Sequence, residues 1–409
     1  MATNAQRANP GGMLAPDQVV GRDALVASLW DRLERQSLYI TGERRTGKTS
    51  VVRDKMRAEP PDGWTVIYCD VSRAVTPLQF IEALLKASET SLGAVQKARF
   101  TVANFLNKLG GADMKAAAVG GKLPENLGGD WKRLLETLLR DLAELDAPRA
   151  VLALDELPLM LDAVRRRTAT AAEGEARVME LLDTLRAARQ ESALRMIFTG
   201  SLGLHHVLTV LREAGYQNDP TNDMARTDLE PLTAEDAADL ALRLFHGEYI
   251  AGSGDAAELE AVALHLAHQT DGVPYYIQHI IADIAASGDA VATVPGVDRR
   301  IRERLTDPLD PWQLDYFDQR IDTHYPESYR PLARGILDQL ATGLPKTLSE
   351  LAQGLDPEKV PTRDEETLRR VLRLLGLDHY TTVEEDGVSY RFRSPFLKRV
   401  WRSRRGMGA

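Results

Sequence analysis

Short apolar runs alternate with helix-like segments in the first half of the chain. Four such runs predict strands, at 37–40, 64–69, 150–154 and 195–199, and the run at 64–69 is rich in β-branched and aromatic residues. The run at 150–154 contains no polar residue, which is typical of a parallel strand buried on both faces. Segments with helical spacing, such as 50–58 and 78–87, lie between the strands. This alternation predicts an α/β fold, a parallel sheet with flanking helices and right-handed crossovers.

From residue 230 onward the pattern becomes helical. Amphipathic segments at 233–245, 256–269 and 274–286 predict three helices. Thr233, with Asp236 three residues later, is typical of a helix N-cap followed by an acidic first turn. We therefore expect an all-α lid over residues 230–300. Prolines at 308, 311, 326 and 331 then predict a linker over 301–326.

The last segment, residues 327–409, has a pattern of three helices followed by a hairpin. Helical spacing at 328–340, 348–354 and 364–375 comes first. Two strand-like runs, 380–384 and 388–393, then flank Glu385-Asp386-Gly387. Because Asp-Gly is favoured in the tight turn between antiparallel strands, these runs predict a β-hairpin. The order predicts a winged helix-turn-helix domain.

Residues 91–130 interrupt the alternation of strands and helices. They contain three Gly-Gly pairs and a short alternating stretch at 114–123. We expect an insertion that contains a loop or hairpin and lies outside the core. The polar residues 1–12 contain no apolar h-region, so we do not expect them to act as a secretory signal. Residues 1–19 are expected to be a flexible tail, and the domain with the sheet should cover 20–229.

Composition narrows the class of protein further. The 409 residues are enough for two or three domains, and 44% hydrophobic with 27% charged residues is typical of a globular protein. No apolar run approaches the about 18 residues that span a bilayer, so no membrane segment is expected. The single cysteine, Cys69, excludes an internal disulfide and favours a reducing, cytoplasmic setting.

The charge of the chain is unevenly distributed. A net charge of −9 argues against a generally basic surface for nucleic acid. The end of the chain is an exception, because its cationic side chains are not accompanied by any Asp or Glu: Arg391, Arg393, Lys398, Arg399, Arg402, Arg404 and Arg405. Such a run can neutralise several DNA phosphates and give salt-sensitive binding.

A glycine-rich loop follows the first predicted strand and precedes a predicted helix. Its sequence, from Gly42 to Thr49, matches G-x-x-x-x-G-K-[ST]. Gly42 and Gly47 allow the backbone to bring several N–H groups against phosphate oxygens. Lys48 is expected to reach the β- and γ-phosphates, and the Thr49 hydroxyl to ligate Mg²⁺. The candidate ATP-binding residues of this loop are Gly42, Glu43, Arg44, Arg45, Thr46, Gly47, Lys48, Thr49 and Ser50.

An acidic pair, Asp155 and Glu156, follows the most apolar strand. Because α/β sheets place ligands at the carboxyl ends of their strands, we expect Asp155 to hold Mg²⁺ through a water molecule. Glu156 is positioned to orient and polarise the attacking water. The alternative is that both residues only cap the next helix. With both acids present, we expect slow, regulatory hydrolysis of ATP to ADP and phosphate.

Two further positions are candidates for sensing phosphate. A hydroxyl in Thr199-Gly200-Ser201, at the end of the next strand, could contact the γ-phosphate, or the segment could be a simple turn of small residues. Arg226 lies just before the lid, where an arginine could act as a catalytic residue on a phosphate in its own or a neighbouring subunit. A surface salt bridge is the alternative for Arg226.

With these residues in place, the chain resembles the AAA+-like ATPases of the archaeal-ATPase and STAND-related branch, which are also similar to origin-recognition ATPases. The resemblance covers nearly the whole chain and implies further nucleotide contacts. Gly21 and Arg22 match the family's Gly-Arg box, which contacts adenine. Pro274 matches the proline of its Gly-x-Pro motif, which packs near the base in the lid. Arg226 matches the arginine before the first residues of the lid.

Two functional hypotheses remain open. In the first, the protein is an ATP-dependent switch that binds double-stranded DNA, with Arg369 and Arg373 on one face of the predicted recognition helix. In the second, it is a STAND-like signalling or conflict-system ATPase that controls an effector protein without binding DNA. Homo-oligomers are compatible with both. A metabolic kinase is a third alternative, which the helical lid and winged helix disfavour.

Overall fold

The computed structural model describes residues 5–93, 100–108, 122–145, 148–201, 203–252, 254, 256–288, 291–360 and 364–408. The chain divides into two compact units. The first, here called the sheet unit, contains residues 14–42 and 47–229. The second, here called the helical unit, contains residues 1–13, 43–46 and 230–409. No helix among the described residues is long and apolar enough to cross a membrane.

The sheet unit contains five parallel strands in the order β2-β3-β4-β1-β5. Its elements are α1 (Asp23–Leu33), β1 (Ser37–Thr41), α2 (Ser50–Met56), β2 (Trp64–Asp70), α3 (Pro77–Ser91), α4 (Val102–Lys108), α5 (Trp131–Ala143), β3 (Arg149–Asp155), α6 (Leu157–Arg166), α7 (Ala171–Glu191), β4 (Arg195–Phe198), α8 (Leu204–Glu213) and β5 (Met224–Asp228). The predicted parallel sheet with flanking helices is confirmed. The edge strand β5 was not predicted, because its sequence, Met-Ala-Arg-Thr-Asp, is too polar to show a strand pattern.

The central strand β3 shows why its sequence is apolar throughout. Leu152 and Leu154 belong to a cluster formed mainly with residues of α3, α5, α6 and α7. Val151 and Ala153 belong to a second cluster, formed with residues of α1 and α2. Each face of the strand is therefore covered, as expected for a parallel strand between helical layers.

The expectation for residues 91–130 was wrong where the structure describes them. Six apolar residues of this segment are buried in the larger cluster of the sheet unit: Leu92, Phe100, Phe105, Leu106, Leu123 and Leu127. The Gly-Gly pairs obscured this apolar spacing in the sequence. The expected hairpin near Met114–Leu123 lies outside the described residues except for its last two positions.

The helical unit contains the expected lid and the last segment of the chain. Its elements are α9 (Ala234–Gly247), β6 (Ala251–Gly252), α10 (Ala256–Gln269), α11 (Pro274–Ala286), β7 (Val291–Ala292), α12 (Val294–Leu305), α13 (Tyr316–His324), α14 (Arg330–Thr342), β8 (Lys346–Thr347), α15 (Leu348–Gly354), α16 (Glu365–Leu377), β9 (Thr381–Val383), β10 (Ser389–Phe392) and α17 (Pro395–Arg404). Strands β8, β10 and β9 form an antiparallel sheet in that order. The Thr233 hydroxyl accepts a hydrogen bond from the Asp236 N–H at 3.1 Å and caps α9 as predicted.

Two segments that were expected to be loose are packed against the helical unit. In the expected tail, the Gln6 N–H donates to the Arg243 carbonyl at 3.1 Å, and the Asn9 N–H donates to Gln278 Oε1 at 2.8 Å. In the expected linker at 301–326, α13 forms and Trp312 is fully buried. The prolines there flank apolar residues that pack inside the unit, so the proline pattern alone was misleading.

The last helix, α17, joins the parts of the helical unit. Asp271, between α10 and α11, accepts hydrogen bonds from the Ser394 hydroxyl at 2.5 Å and the Phe396 N–H at 2.6 Å. The Ser403 hydroxyl donates to the Leu305 carbonyl at the end of α12, at 2.9 Å. The lid, the expected linker and the C-terminal segment therefore form one compact unit.

Replacing Trp312 by alanine tests whether the expected linker is part of the core. We expect Trp312→Ala to lower the free energy of unfolding by roughly 3–5 kcal/mol, because it empties a fully buried site. The control is Leu309→Ala in the same segment, where the side chain is 88% exposed. Its effect should stay within about 0.5 kcal/mol. Equal, small effects in urea denaturation would contradict the buried position of Trp312.

Candidate functional site

The loop after β1 requires glycine at two positions for different reasons. Gly42 has a φ of +142°, and a Cβ at this position would lie 2.6 Å from the Leu229 carbonyl oxygen. That carbonyl belongs to a residue fixed next to β1, because the Leu229 N–H donates to the Thr41 carbonyl at 2.8 Å. Gly47 has open space but a φ of +98°, which side chains other than glycine rarely adopt. The loop backbone is therefore restricted to glycine at both ends.

The residues after Gly47 point toward the carboxyl end of the sheet. Lys48 is buried, and its Nζ donates to the Gly42 carbonyl at 2.8 Å, so the side chain folds back over the loop. Thr49 Oγ1 donates to Asp155 Oδ2 at 2.8 Å. Ser50 is the first residue of α2. The structure thus brings the predicted metal-ligating residues, Thr49 and Asp155, into direct contact.

Asp155 is 4% exposed, and its carboxylate accepts hydrogen bonds from donors on both sides. Oδ2 accepts from Thr49 and also from the Tyr68 hydroxyl at 2.7 Å. Oδ1 accepts from the Thr199 hydroxyl and from the Glu156 N–H at 3.2 Å. Hydroxyl and carboxylate oxygens are the hard ligands that Mg²⁺ prefers. The donor set at Thr49 and Asp155 fits this ion.

Tyr68 is a site residue that sequence reasoning missed. Burial raises the pKa of its hydroxyl well above the ordinary tyrosine value, and the negative charge of Asp155 acts in the same direction. The hydroxyl therefore keeps its proton at neutral pH and donates to the carboxylate. The sequence showed an aromatic residue near the end of the second predicted strand, but only the strand order places that strand beside β3.

Glu156 adopts an unusual backbone conformation, with a φ of +60°. Its Oε2 accepts hydrogen bonds from the Ser201 N–H at 2.8 Å and the Ser201 hydroxyl at 2.9 Å. Burial raises the pKa of the Glu156 carboxyl, and the hydrogen bond from the Ser201 N–H opposes this effect. Glu156 precedes α6, but its side chain makes no cap hydrogen bond. The alternative in which this residue only caps the helix is therefore not supported by its contacts.

The tip of the loop, residues 43–46, belongs to the helical unit and is held there by aromatic side chains. The Arg44 guanidinium lies 3.9 Å from the centroid of the Tyr316 ring. The Arg45 guanidinium lies 4.4 Å from the Tyr275 ring centroid and donates to the Tyr276 hydroxyl at 3.0 Å. Cation–π contacts of this kind stabilise by about 0.5–2 kcal/mol. The two arginine side chains thus contact rings of the helical unit.

The tip is also closed by a hydrogen bond of its own. Thr46, which is fully buried, donates from Oγ1 to the Glu43 carbonyl at 2.8 Å. Arg45 has a φ of +75°, a left-handed conformation that a non-glycine residue adopts at a cost. Nη2 of Arg45 donates to the Gln313 carbonyl at 3.3 Å. These contacts fix the conformation of the tip.

The remaining predicted residues lie on separate elements. Arg22 is buried directly before α1 in the sheet unit, and Gly21 precedes it with a φ of +69°. Pro274 is the first residue of α11 in the helical unit. Arg226 is exposed on the edge strand β5, in register with Tyr39 and two residues before the end of the strand. At about 3.3 Å per residue it lies roughly 7 Å before the carboxyl end. Arg226 therefore does not lie at the carboxyl end of the sheet, where Asp155 is found.

Comparisons with known proteins agree with the fold described above. Residues 31–208 match the family model described as an AAA domain. No curated protein matches the sequence. Two solved structures with a similar fold are the Walker-type ATPase PABY2304 of Pyrococcus abyssi and the ORC2 protein of Aeropyrum pernix in ADPNP–ADP complexes.

The two structures match over nearly their whole lengths. PABY2304 is 18% identical, with a TM-score of 0.62, and the match covers 96% of this chain and 99% of that chain. ORC2 is 14% identical, with a TM-score of 0.54, and the match covers 96% of each chain. At these identities the similarity shows the fold alone. The chain has a P-loop AAA fold, with a five-stranded parallel sheet and flanking helices.

Two glycine substitutions test the close approach at Gly42. We expect Gly42→Ala to destabilise the protein more than Gly63→Ala, because both residues have a positive φ but only Gly42 leaves no room for a Cβ. Positive φ alone should cost about 1–2 kcal/mol at each position. Urea denaturation of both variants measures the difference. Equal losses of unfolding free energy would contradict the predicted clash with the Leu229 carbonyl.

Proposed function

We propose that the protein is an ATP-binding and ATP-hydrolysing molecular switch. The observation that carries this proposal is the contact of Thr49 with Asp155 beside the glycine-restricted loop, with Glu156 next in the chain. A loop with this sequence, at the carboxyl end of a parallel sheet, is the arrangement that binds nucleotide phosphates in P-loop proteins. Slow regulatory turnover is the mode we infer for it.

Each residue of the site has a distinct chemical task. The loop backbone and Lys48 bind the phosphates and neutralise their charge. Mg²⁺, when it is bound, supplies charge stabilisation for the transferred phosphoryl group, and Thr49 and Asp155 would hold it. Glu156 accepts a proton from the attacking water, and its raised pKa makes it a better base than an exposed glutamate. The Ser201 hydrogen bonds hold the Glu156 carboxylate in place.

The base-binding side of the site rests on the resemblance described above. On that resemblance, Gly21 and Arg22 would contact adenine, and Pro274 would pack near the base. The burial of Arg22 and the position of Pro274 at the start of α11 support ordered roles for both. Arg226 is exposed on an edge strand, which supports a role in a neighbouring subunit of a homo-oligomer over a role in its own site.

Nucleotide state would reach the helical unit through the tip of the phosphate loop. Arg44 and Arg45 contact Tyr316, Tyr275 and Tyr276 within that unit. The tip is covalently continuous with Gly42 and Gly47, so a change of loop conformation on phosphate binding alters the positions of both arginines. Because the two arginines contact tyrosine rings, their movement would change the conformation of the helical unit.

Two substitutions separate nucleotide binding from turnover. We expect Lys48→Ala to weaken ATP binding by at least about tenfold, because a phosphate charge loses its partner. Glu156→Gln should retain binding within about twofold and lower kcat by roughly 10²- to 10⁴-fold, because the general base is removed. The matched control is Glu136→Gln, which changes an exposed glutamate of α5 and should leave both quantities unchanged. Isothermal titration and phosphate release measure them.

One result would contradict each assignment. Hydrolysis by Glu156→Gln at the wild-type rate would exclude Glu156 as the base. Unchanged ATP affinity in Lys48→Ala would exclude the loop as the phosphate site.

We infer that residues 330–404 form a winged helix, because α14, α15 and α16 are combined with the antiparallel strands β8, β9 and β10. This order favours DNA as a target. The cationic run, however, is engaged within the unit. Its partners are Glu384 for Arg391, Glu230 for Arg393, the Gly343 carbonyl for Lys398, Gln269 for Arg399, the Gly408 carbonyl for Arg402, Asp310 for Arg404 and Asp338 for Arg405.

Two arginines of α16 are also paired with acidic residues. Arg369 pairs with Glu365 and Arg370 pairs with Glu366, each within one helical turn. Arg373 is exposed. Charges that are already paired offer less attraction to phosphates than a free basic surface. The ion pairs of these arginines weaken the case for DNA, so we take an effector protein as the first candidate target of the switch and DNA as the second.

A salt titration with duplex DNA separates the two targets. We expect no binding of the protein to a duplex at low salt, about 50 mM, whether it holds no nucleotide, ADP or a non-hydrolysable ATP analogue. Binding that weakens steeply with salt, and that is lost when Arg369, Arg370 and Arg373 are replaced by alanine, would establish DNA as the target instead. Fluorescence anisotropy of a labelled duplex is the measurement.

A further inference from the structure

Tyr68 is placed by the sheet so that its hydroxyl reaches the carboxylate of Asp155. Strands β2 and β3 are parallel neighbours, with Tyr68 opposite Ala153 and Asp70 opposite Asp155. Residues two apart on a strand point to the same face, so the side chains of Tyr68 and Asp155 share a face and are diagonal neighbours. The long aromatic side chain spans this diagonal, and its hydroxyl lies 2.7 Å from Asp155 Oδ2.

The carboxylate is held from the opposite side by the other neighbouring strand. Strand β4 pairs with β3, and the Thr199 N–H donates to the Leu154 carbonyl at 3.0 Å. This bond fixes Thr199 beside Asp155, where its hydroxyl donates to Oδ1. One oxygen is therefore oriented from β2 and the other from β4. Together the two hydrogen bonds set the plane of the carboxylate.

The oxygen that accepts from Tyr68 is the oxygen that contacts the candidate metal ligand. Thr49 Oγ1 and the Tyr68 hydroxyl both donate to Oδ2. A tyrosine has only two rotatable side-chain bonds, and here its ring is half-buried and packed against the core cluster beside α1 and α2. Its hydroxyl is therefore a rigid donor, whereas a water molecule at the same place would not be.

We propose that Tyr68 is a positioning residue that orients Asp155 for Mg²⁺ in the nucleotide complex. This inference rests on the proposed function, which assigns the ion to Thr49 and Asp155. Residues that hydrogen-bond to a metal-binding carboxylate fix its direction, and their loss typically weakens metal affinity by about 10- to 100-fold. Tyr68 itself contacts neither the ion nor the nucleotide in this assignment.

The test is the Mg²⁺ dependence of nucleotide affinity in Tyr68→Phe, which removes the hydroxyl and keeps the ring. Affinity for a fluorescent ATP analogue is measured over a series of Mg²⁺ concentrations and in EDTA. We expect the Mg²⁺ concentration at the midpoint to rise about tenfold, while affinity in EDTA stays within about twofold of the wild type. A change in general folding would lower affinity under both conditions.

The chain offers a matched control in Tyr216→Phe. The Tyr216 hydroxyl donates to Asp183 Oδ1 at 2.7 Å, so this variant also removes a tyrosine–aspartate hydrogen bond from the sheet unit. It should lower the melting temperature by a similar amount and leave the Mg²⁺ midpoint unchanged. Equal midpoints for Tyr68→Phe and Tyr216→Phe would overturn the inference. A wild-type protein whose nucleotide affinity ignores Mg²⁺ would instead overturn the metal assignment on which the inference rests.

Discussion

The burial of the Asp155 carboxylate is the constraint on which the site depends. A carboxylate at the end of a covered strand is costly unless hydrogen bonds replace its lost water. Thr49, Tyr68 and Thr199 supply these bonds, and each comes from an element next to β3 or from the loop after β1. The need to satisfy one buried charge therefore brings the phosphate loop and two strands together at the same edge of the sheet.

Two arginines of the phosphate loop, Arg44 and Arg45, make their side-chain contacts within the helical unit. A loop that only had to bind phosphate would need its backbone and Lys48. Arg44 and Arg45 instead stack on tyrosine rings, and Arg45 accepts a left-handed backbone conformation to do so. The strain of a non-glycine residue in this region costs about 1 kcal/mol or more, which the cation–π and hydrogen-bond contacts offset. The loop tip, residues 43–46, is thus part of the phosphate-binding sequence motif and also part of the helical unit.

The cationic end of the chain shows how composition can mislead about function. In the sequence, the segment from Arg391 to Arg405 contains seven cationic residues and no Asp or Glu. In the structure these side chains bind acceptors from the lid, from the segment before α13 and from the C-terminal hairpin. Arg393 pairs with Glu230 at 2.5 Å, and Arg404 pairs with Asp310 at 2.6 Å. Four of the seven cations therefore pair with carboxylates inside the helical unit, and three of these carboxylates, Glu230, Asp310 and Asp338, are far away in the sequence.

The sequence by itself determined the elements whose signal is local. The apolar run of β3, the glycines at 42 and 47 and the cap at Thr233 depend on strand burial, backbone conformation and a three-residue spacing, all of which are visible in the chain. Only the tertiary structure decided which side chains meet. Tyr68 and Thr199 reach Asp155 because β2 and β4 flank β3, and strand order is not a local property. For the same reason, Trp312 could not be recognised as core, and the basic run could not be recognised as internally paired, until their distant partners were in place.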